Sequence, residues 1–206
     1  MTSASKNVQV QGSGAGAVAF GRRCLKEFQT LETRLRPRLL FWTACAALLP
    51  DFTLPGLRSF CFRKAGCDMT SQVALLGRLK LTGAGAIAAR LHVQEGCTIA
   101  PNVLLGLDAD ISLGRNVSLS PGVVMYTATH PIGFGSQRML PYTHAKPIVV
   151  EDGVWVGMCS LILPGVTLGH GSIVSAGAVV SESIPPDTLV AGNPATIRDS
   201  LPFGGR

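Results

Sequence analysis

The sequence predicts an all-β protein: a parallel β-helix of hexapeptide repeats, with an N-terminal helical segment and a protruding loop. The main observation is a six-residue period, because a helix repeats its buried face at about 3.6 residues and a strand at about 2. Stacked hexapeptides are the arrangement that matches a period of six. The 24 Gly and 13 Pro supply frequent turns. The period runs through Val150, Val156, Ile162, Leu168, Val174 and Val180.

The 206 residues have room for one compact domain and an appendage. Residues 1–21 are rich in Gly, Ser and Ala and are predicted to be flexible. Residues 22–70 form the predicted helical segment, and residues 71–190 form the predicted coil. Residues 191–206 form the predicted C-terminal tail.

Within the helical segment, one helix is predicted from Arg22 to about Leu49, broken or restarted at Pro37, and a second over 57–65. The apolar run 39–49 is too short to cross a bilayer, which needs about 20 residues. Two interpretations stay open: the helix packs on the coil or on a neighbouring subunit, or it lies on an anionic membrane surface. The cations that would face the headgroups are Arg22, Arg23, Lys26, Arg34, Arg36 and Arg38.

The coil is predicted to begin near Val73, with Leu79 six residues later, and to be interrupted once. After a Gly- and Ala-rich stretch the register continues, and a two-residue extension passes through 108–110. Residues 130–147 are too polar and too rich in Gly and Pro to form a repeat, and a long loop in such a compact coil indicates function. The inward positions before this loop are predicted to be Ile87, Val93, Ile99, Leu105, Leu113, Leu119 and Met125.

Charge and cysteine content narrow the class of protein. The formal net charge is +6, but residues 1–90 hold 13 Lys and Arg against 4 Asp and Glu, and residues 91–206 hold 5 against 8. The basic half has no recognition motif, so no nucleic-acid partner is predicted. The six Cys lack metal-type spacing. They are interpreted as reduced residues of a cytoplasmic protein, which can lie at the inner face of the membrane.

A series of motifs then appears in a fixed order. TATHPIGFGSQR (127–138) is followed by KPIVVEDGVWVGMCSLILPGVTLGHGSIVSAGAVVSESIPPDTLVAGNPA (146–195). With this series, residues 73–198 resemble the hexapeptide-repeat acyltransferases, and among them the galactoside, maltose and nodulation-factor O-acetyltransferases. The resemblance implies a left-handed coil and a homotrimer with active sites between subunits. It also implies acetyl-CoA as cosubstrate and no metal, with polysaccharide, glycolipid or natural-product assembly as the setting.

His130 is the predicted catalytic residue. Transfer of an acetyl group from a thioester to a sugar hydroxyl requires a base, and imidazole, with a pKa of about 6.5, is largely neutral at pH 7. His130 lies where the regular coil ends, and its Thr-His-Pro context matches the family's catalytic position. His92 and His170 are predicted to be solvated turn residues, and His144 can line the acceptor site.

The resemblance also assigns cosubstrate residues. Backbone after the W-x-G motif, at Met158, corresponds to the contact with the thioester. The next repeat then places residues along the pantetheine arm and towards the phosphates. Two departures stand out: family members often have Ser in place of Met158 and Lys in place of Glu182. The remaining cofactor-binding positions are Ser175, Ala176, Ser181, Glu182 and Arg198.

For the acceptor, Asp108 aligns with a family carboxylate that binds sugar hydroxyls. Asn102 lies near a sugar-binding Asn, whose own position is taken by Ala100. Arg138 and Tyr142 can close over a sugar from the loop. Trp155 can stack on the sugar ring or on pantetheine, or pack on the coil.

Three rival functions are weighed. An N-acyltransferase of the same fold would use an amino sugar or antibiotic as acceptor. The γ-type carbonic anhydrases share the coil but need three zinc-binding His, two of them in an H-x4-H pair, and this spacing does not occur here. A non-catalytic hexapeptide scaffold would neither bind nor hydrolyse acetyl-CoA.

Overall fold

The computed structural model describes residues 36–202, so the predictions for residues 1–35 lie outside the described part. The chain enters through two helices, α1 (Pro37–Ala47) and α2 (Pro55–Ala65). Proline stands at the start of both, where its missing N–H costs no helical hydrogen bond. Gly66, in a left-handed conformation, ends α2. Helix α2 begins two residues before its predicted start. Neither helix has the length or continuous apolarity to span a bilayer.

Nineteen short strands follow, most of them two to four residues long. In chain order they are β1 (Asp68–Met69), β2 (Ala74–Leu75), β3 (Leu79–Thr82), β4 (Leu91–Val93), β5 (Thr98–Ile99), β6 (Val103–Gly106), β7 (Ile111–Leu113), β8 (Ser118–Leu119), β9 (Val124–Tyr126), β10 (Ala128–Thr129), β11 (His144–Ala145), β12 (Ile148–Val150), β13 (Trp155–Val156), β14 (Leu161–Ile162), β15 (Thr167–Leu168), β16 (Ile173–Val174), β17 (Val179–Val180), β18 (Thr188–Ala191) and β19 (Thr196–Ser200).

These strands form a three-sided coil. The first face is the parallel sheet β1-β4-β7-β12-β15, and the third face is the parallel sheet β3-β6-β9-β14-β17. The second face carries β2-β5-β8-β13-β16-β18 and ends with β19, which runs antiparallel to β18. We name each corner by the faces it joins: the 1–2 edge, the 2–3 edge and the 3–1 edge.

The core is one column of inward side chains, as the six-residue period predicts. Val150, Val156 and Ile162 on one turn lie directly above Leu168, Val174 and Val180 on the next, 18 residues later. All six are essentially fully buried. Burying one such side chain favours folding by about 1.5–3 kcal/mol, so the stack itself is the main source of stability.

In the first turn the register differs from the prediction. The residues aligned with Val93 and Ile99 are Met69 and Leu75, not Val73 and Leu79. Val73 and Leu79 are also buried, because the residue two places before each inward position packs into the corner. The series of inward residues and the series of corner residues therefore share the same six-residue spacing. Ile87 is buried but belongs to a 3₁₀ turn at 87–90 outside the coil repeat.

Helices α1 and α2 are joined to the coil by Arg58, whose side chain is completely buried. Its guanidinium donates to the carbonyls of Leu49 at 2.8 Å, Pro50 at 3.0 Å and Leu75 in β2 at 3.0 Å. A buried cation is tolerated only when its donors are satisfied. Arg58 therefore fixes the helical pair to the first coil turn through backbone carbonyls.

The described cysteines are free thiols, among which Cys61, Cys67 and Cys97 are buried and Cys159 is exposed. Burial raises the pKa of Cys67 to about 12, and it also raises the pKa values of Cys61 and Cys97. A thiol held protonated in this way is a poor nucleophile. The buried cysteines thus act as small core residues.

Candidate functional site

The 3–1 edge is where the coil departs from regularity. Successive inward residues are always six apart across the 1–2 and 2–3 edges. Across the 3–1 edge the separation is 12 from Leu81 to Val93 and 8 from Leu105 to Leu113. It rises to 25 from Met125 to Val150 and returns to 6 at Ile162. The two-residue extension at 108–110 is confirmed, and every insertion lies at one corner.

The three insertions support one another. The amide of Ala84 donates to Oδ1 of Asp108 at 3.1 Å, and Nη1 of Arg90 donates to the Asp108 carbonyl at 2.9 Å. In the next turn, the amide of Ala109 donates to Oγ1 of the buried Thr127 at 2.9 Å. That hydroxyl donates to the Gly106 carbonyl at 2.7 Å. The root of the longest insertion is therefore anchored by the two shorter ones.

The longest insertion is a β-hairpin, which we call the arm (residues 127–147). Strands β10 and β11 pair antiparallel at its root, with Thr129 opposite His144. Farther out, Ile132 and Met139 form a bridge. The arm exposes apolar side chains, and Phe134 at its tip is 94% exposed. The sequence predicted a loop here without predicting its hairpin pairing.

His130 follows β10 directly and has one defined partner. Its Nδ1 lies 2.8 Å from the carbonyl oxygen of Leu140 on the returning strand. A carbonyl only accepts, so Nδ1 carries the hydrogen in the neutral ring and Nε2 holds a free lone pair. The ring is exposed, and its basic nitrogen is available to a proton donor. The arrangement suits a general base.

The other predicted arm residues lie beyond His130. Arg138 accepts a hydrogen bond at its carbonyl from the Gly133 amide, at 2.8 Å, and its side chain is exposed. The ring of Tyr142 is tilted against the His144 imidazole, with 5.8 Å between ring centroids. Both side chains are free to approach a ligand at the arm.

Beneath the arm lies an open cavity of about 500 Å³, which we call the third-face groove. Its floor is apolar, and its polar groups lie at the arm root and on the turn below. The lining residues are Val124, Tyr126, Ala128, Thr129, His144, Lys146, Leu161, Leu163, Pro164 and Ser181. Lys146 is a lining residue that is not among the predicted site residues.

The 2–3 edge has exposed backbone amides that can donate hydrogen bonds. Met158 and Ala176 occupy equivalent exposed corner positions on successive turns. Within residues 36–202, neither amide donates a hydrogen bond to a protein acceptor. The equivalent positions on earlier turns are Pro101 and Pro121, which have no N–H. Of positions 101, 121, 158 and 176, only the last two thus offer an edge amide to a ligand, and this contrast is visible in the sequence.

Three further predicted residues lie on or near this edge. Ser175 precedes Ala176 and is half-buried, and its own amide is used within the coil, donating to the Val190 carbonyl. Asn102 is an exposed corner residue with φ of 63°. Trp155 is half exposed on the second face, where its Nε1 donates to Oγ of Ser120 at 3.1 Å.

The last predicted cosubstrate residues do not cluster with Met158. Ser181 and Glu182 are exposed at the 3–1 edge, below the arm. Arg198 is exposed on β19, at the end of the second face. Within one chain the candidate residues are thus divided between the 2–3 edge and second face on one side and the 3–1 edge on the other. The third face separates the two groups.

The other two coil histidines are held by carboxylates. His92 lies in β4, not in a turn as predicted, and its Nδ1 is 2.9 Å from Oδ2 of Asp68. His170 lies at the 1–2 edge between Glu151 and Asp187, at 3.7 and 3.5 Å. Both border a wide groove of about 820 Å³ on the first face. In residues 36–202, no three His, Cys, Asp or Glu residues are arranged to hold a metal.

Comparison with known proteins agrees with the fold and the motif order. The family model "Bacterial transferase hexapeptide (six repeats)" matches residues 147–182. A galactoside O-acetyltransferase of Lactococcus lactis is 32% identical over 111 residues, which are 54% of this chain and 53% of that protein. The matches span about half the length of the curated relatives.

Solved structures extend the likeness to most of the chain. A maltose O-acetyltransferase from Clostridium difficile is 26% identical, with a TM-score of 0.68 over 81% of this chain and 86% of that one. A hexapeptide-repeat acetyltransferase from Vibrio cholerae is 30% identical, with a TM-score of 0.63, over 81% and 90%. A second structure of the Vibrio protein contains acetyl-CoA. The fold is thus a left-handed parallel β-helix, as predicted. The chain belongs to the hexapeptide-repeat acyltransferase family.

Proposed function

We propose that the chain is an acetyl-CoA-dependent O-acetyltransferase that acetylates a hydroxyl of a sugar or glycoconjugate. The observation that carries the proposal is the hydrogen bond from Nδ1 of His130 to the Leu140 carbonyl, which leaves Nε2 as the basic nitrogen. The histidine stands at the root of the arm, next to the third-face groove. The acetyl-CoA in the Vibrio relative supports the choice of cosubstrate.

The proposed reaction is direct transfer in a ternary complex. His130 Nε2 takes the proton of the acceptor hydroxyl as its oxygen attacks the thioester carbonyl carbon. The tetrahedral intermediate collapses by breaking the C–S bond, and the departing thiolate of CoA takes the proton from the imidazolium. No residue of the protein is acylated, and the Leu140 carbonyl keeps the ring in one tautomer throughout.

The 2–3 edge is proposed to hold acetyl-CoA. The exposed amides of Met158 and Ala176 can donate to the thioester carbonyl and to pantetheine amides, and such donors stabilise a developing oxyanion. Ser175 lies beside them. Ser181, Glu182 and Arg198 remain candidates for the far end of the cosubstrate, where only Arg198 supplies the positive charge that phosphates favour.

For the acceptor we propose contacts from Asp108, Asn102, Arg138, Tyr142 and Trp155. Asp108 already uses Oδ1 to bind the Ala84 amide, which leaves Oδ2 for a sugar hydroxyl. Arg138 and Tyr142 would approach from the arm. Asn102 and Trp155 would approach from the opposite side of the third face.

This division between two edges supports a homotrimer in which each site is shared. A neighbouring copy can bring its 2–3 edge to the arm of the first chain, which no single chain achieves. The test is complementation between two inactive variants. His130→Ala removes the base, and Ala176→Pro removes an amide at a position where earlier turns already carry Pro101 and Pro121. Shared sites predict partial recovery on co-expression, whereas sites within one chain predict none.

The main test of activity uses His130→Ala, with His92→Ala as the matched control because His92 lies in β4 on the first face, away from the arm. We expect transfer to fall by about 10²–10⁴-fold in the first variant, with acetyl-CoA binding retained. Near-normal transfer by His130→Ala would refute the mechanism. Products from a panel of sugars, lipid-linked glycans and aminoglycosides, read by mass spectrometry, separate O-transfer from N-transfer. Failure to bind or hydrolyse acetyl-CoA would indicate a non-catalytic scaffold.

We also propose a cytoplasmic location with contact to the inner membrane face through residues 22–49. In the described part, α1 exposes Leu40 and Phe41, with Leu48 just after its end and Arg36 just before it. Asp51 is the only acidic residue between 36 and 67. Apolar and basic side chains together suit an anionic interface. Flotation with anionic liposomes tests the proposed membrane contact. Binding that does not depend on salt concentration or on lipid charge would refute it.

A further inference from the structure

The third-face groove has an unusual charge environment. From Ile111 to Val150 the chain contains no Asp or Glu, although it carries Arg115, Arg138 and Lys146 as well as two His. This stretch supplies the arm and the upper half of the groove. None of the ten lining residues is acidic.

Lys146 is the fixed positive charge of the groove. Its amide donates to the Thr127 carbonyl at 2.8 Å, which ties its backbone to the arm root. Its aliphatic stem lies over Gly165 on the turn below, so close that a Cβ built at Gly165 would be 3.0 Å from Cδ of Lys146. The stem thus lies against the coil, and Lys146 is an exposed residue of the groove lining.

No carboxylate neutralises this ammonium. Within residues 36–202, no Asp or Glu oxygen lies within 4.0 Å of Lys146. Oδ1 of Asp108, at the same edge, is bound to the Ala84 amide. Glu182 follows the lining residue Ser181, but it is exposed and outside the groove.

The floor of the groove suits the face of a sugar ring. Val124, Leu161 and Leu163 line it with aliphatic carbon, while Tyr126 and Thr129 place hydroxyls at its side. A pyranose has apolar C–H faces and hydroxyls around its rim. The groove reaches Thr129, which is one residue before His130 in the chain.

We propose that the third-face groove binds an acceptor sugar that carries a carboxylate, with the carboxylate at Lys146 and the ring over the aliphatic floor. The inference rests on the proposed function and specifies its acceptor class. A carboxylate fits better than a phosphate because one ammonium balances one negative charge. Lys146 is then a specificity-determining residue and takes no part in proton transfer.

The test compares two probes that differ only at C6, methyl β-D-glucuronide and methyl β-D-glucoside, by calorimetric binding to the full chain. We expect the glucuronide to bind about 3–5-fold more tightly at low salt, since an exposed charge pair contributes modestly. The advantage should shrink at high salt. Equal affinity for both probes would overturn the proposal.

Variants locate the effect. Lys146→Gln should abolish the preference while leaving glucoside binding unchanged. Lys80→Gln is the matched control, because Lys80 is exposed on the same face, in β3, but does not line the groove. Loss of the preference in Lys80→Gln as well would indicate a general charge effect and overturn the assignment. Tighter binding of glucose 6-phosphate than of glucuronide would overturn the carboxylate in favour of a phosphate.

Two further readouts separate this inference from the proposed function. If Lys146→Gln weakens acetyl-CoA binding and leaves the sugar preference unchanged, Lys146 contacts the cosubstrate. The inference then fails, while the proposed function stands. If wild-type protein transfers acetyl groups equally well to both probes, the acetyltransferase stands and the inference again fails. If acetyl-CoA does not bind at all, the proposed function fails, while the sugar-binding comparison still decides the inference.

Discussion

The three edges of the coil obey different rules. At the 1–2 and 2–3 edges, every passage between faces takes six residues from one inward side chain to the next. At the 3–1 edge, the passage takes 12, 8, 25 and 6 residues in turn. The inward column is unbroken in spite of this variation. The stack requires only that the chain return in register. Extra residues can therefore protrude at one corner without disturbing the core.

The comparison separates stability from chemistry. The regular edges keep the buried column together, and the irregular edge carries His130 and the groove beneath it. The 2–3 edge contributes the exposed backbone amides of Met158 and Ala176. Changes to the column should therefore affect folding, while changes to the arm should affect activity. The following experiments test that separation, beginning with the largest expected effect.

Removal of the arm beyond its root is the most severe test. Because Thr129 and His144 are paired, residues 130–143 can be replaced by Asn-Gly, which forms a two-residue hairpin turn. We expect acetyl transfer to fall by at least about 10²-fold, because His130, the proposed general base, is lost. The melting temperature should change little, since the arm packs few side chains into the core. Unfolding of this variant, measured by circular dichroism, would show that the arm stabilises the coil.

A pair of truncations compares the column with the arm tip. Ile162→Ala removes a fully buried side chain from the column and should lower the free energy of unfolding by about 2–5 kcal/mol. Phe134→Ala alters an exposed arm residue and should change it by no more than about 0.5 kcal/mol. Denaturant unfolding measures both. Similar losses in the two variants would contradict the separation.

Thr127 lies at the junction of the two regions. Thr127→Val leaves the Ala109 amide without its acceptor, and we expect a loss of about 1–3 kcal/mol. Ser172→Ala is the control, because Oγ of Ser172 is also buried but has no hydrogen-bond partner within the described residues. Its removal should be neutral or slightly stabilising. Equal effects of the two substitutions would mean that the Thr127 hydrogen bonds contribute nothing.

The smallest effect concerns alkaline pH. Burial raises the pKa of Cys67 from 9.0 to about 12, so the folded state keeps a proton that the unfolded state loses. Stability from this source is complete below pH 9 and falls as pH rises towards 12, by about 1.4 kcal/mol per pH unit. Cys67→Ala should therefore show a shallower decline of unfolding free energy between pH 9 and 10.5. Parallel declines in both proteins would exclude the thiol as the cause.

The sequence predicts the coil well because periodicity depends on side-chain burial alone. The positions from Val93 to Val180 follow from the pattern once the extension at 108–110 and the interruption are recognised. The inward positions of the first turn do not follow from the pattern, because Val73 and Leu79 have the same spacing as Leu75 and Leu81. Nothing in the spacing tells a corner residue from a face residue. The arm has no alternating pattern, so its hairpin pairing was not predicted.

The candidate site shows a similar limit. His130 could be singled out from its Thr-His-Pro context and its place at the end of the regular coil. Its partner, the Leu140 carbonyl, is a backbone group that any residue could supply, so the sequence does not reveal it. Likewise, spacing along the chain does not show that Met158 and His130 lie on different edges. One signal was available: proline at 101 and 121 but not at 158 and 176 predicts where edge amides remain.

The reversed strand at the end of the coil has a consequence for colloidal behaviour. A stack of parallel strands ends in an edge that can template another copy, which is how cross-β fibres grow. β19 covers the end of the second face in the opposite direction, and the strand register shifts between Leu189 and Val190 where it pairs with β18. An incoming parallel strand finds no matching ladder there. On the second face, the last turn therefore removes the parallel edge that a repetitive sequence would otherwise present.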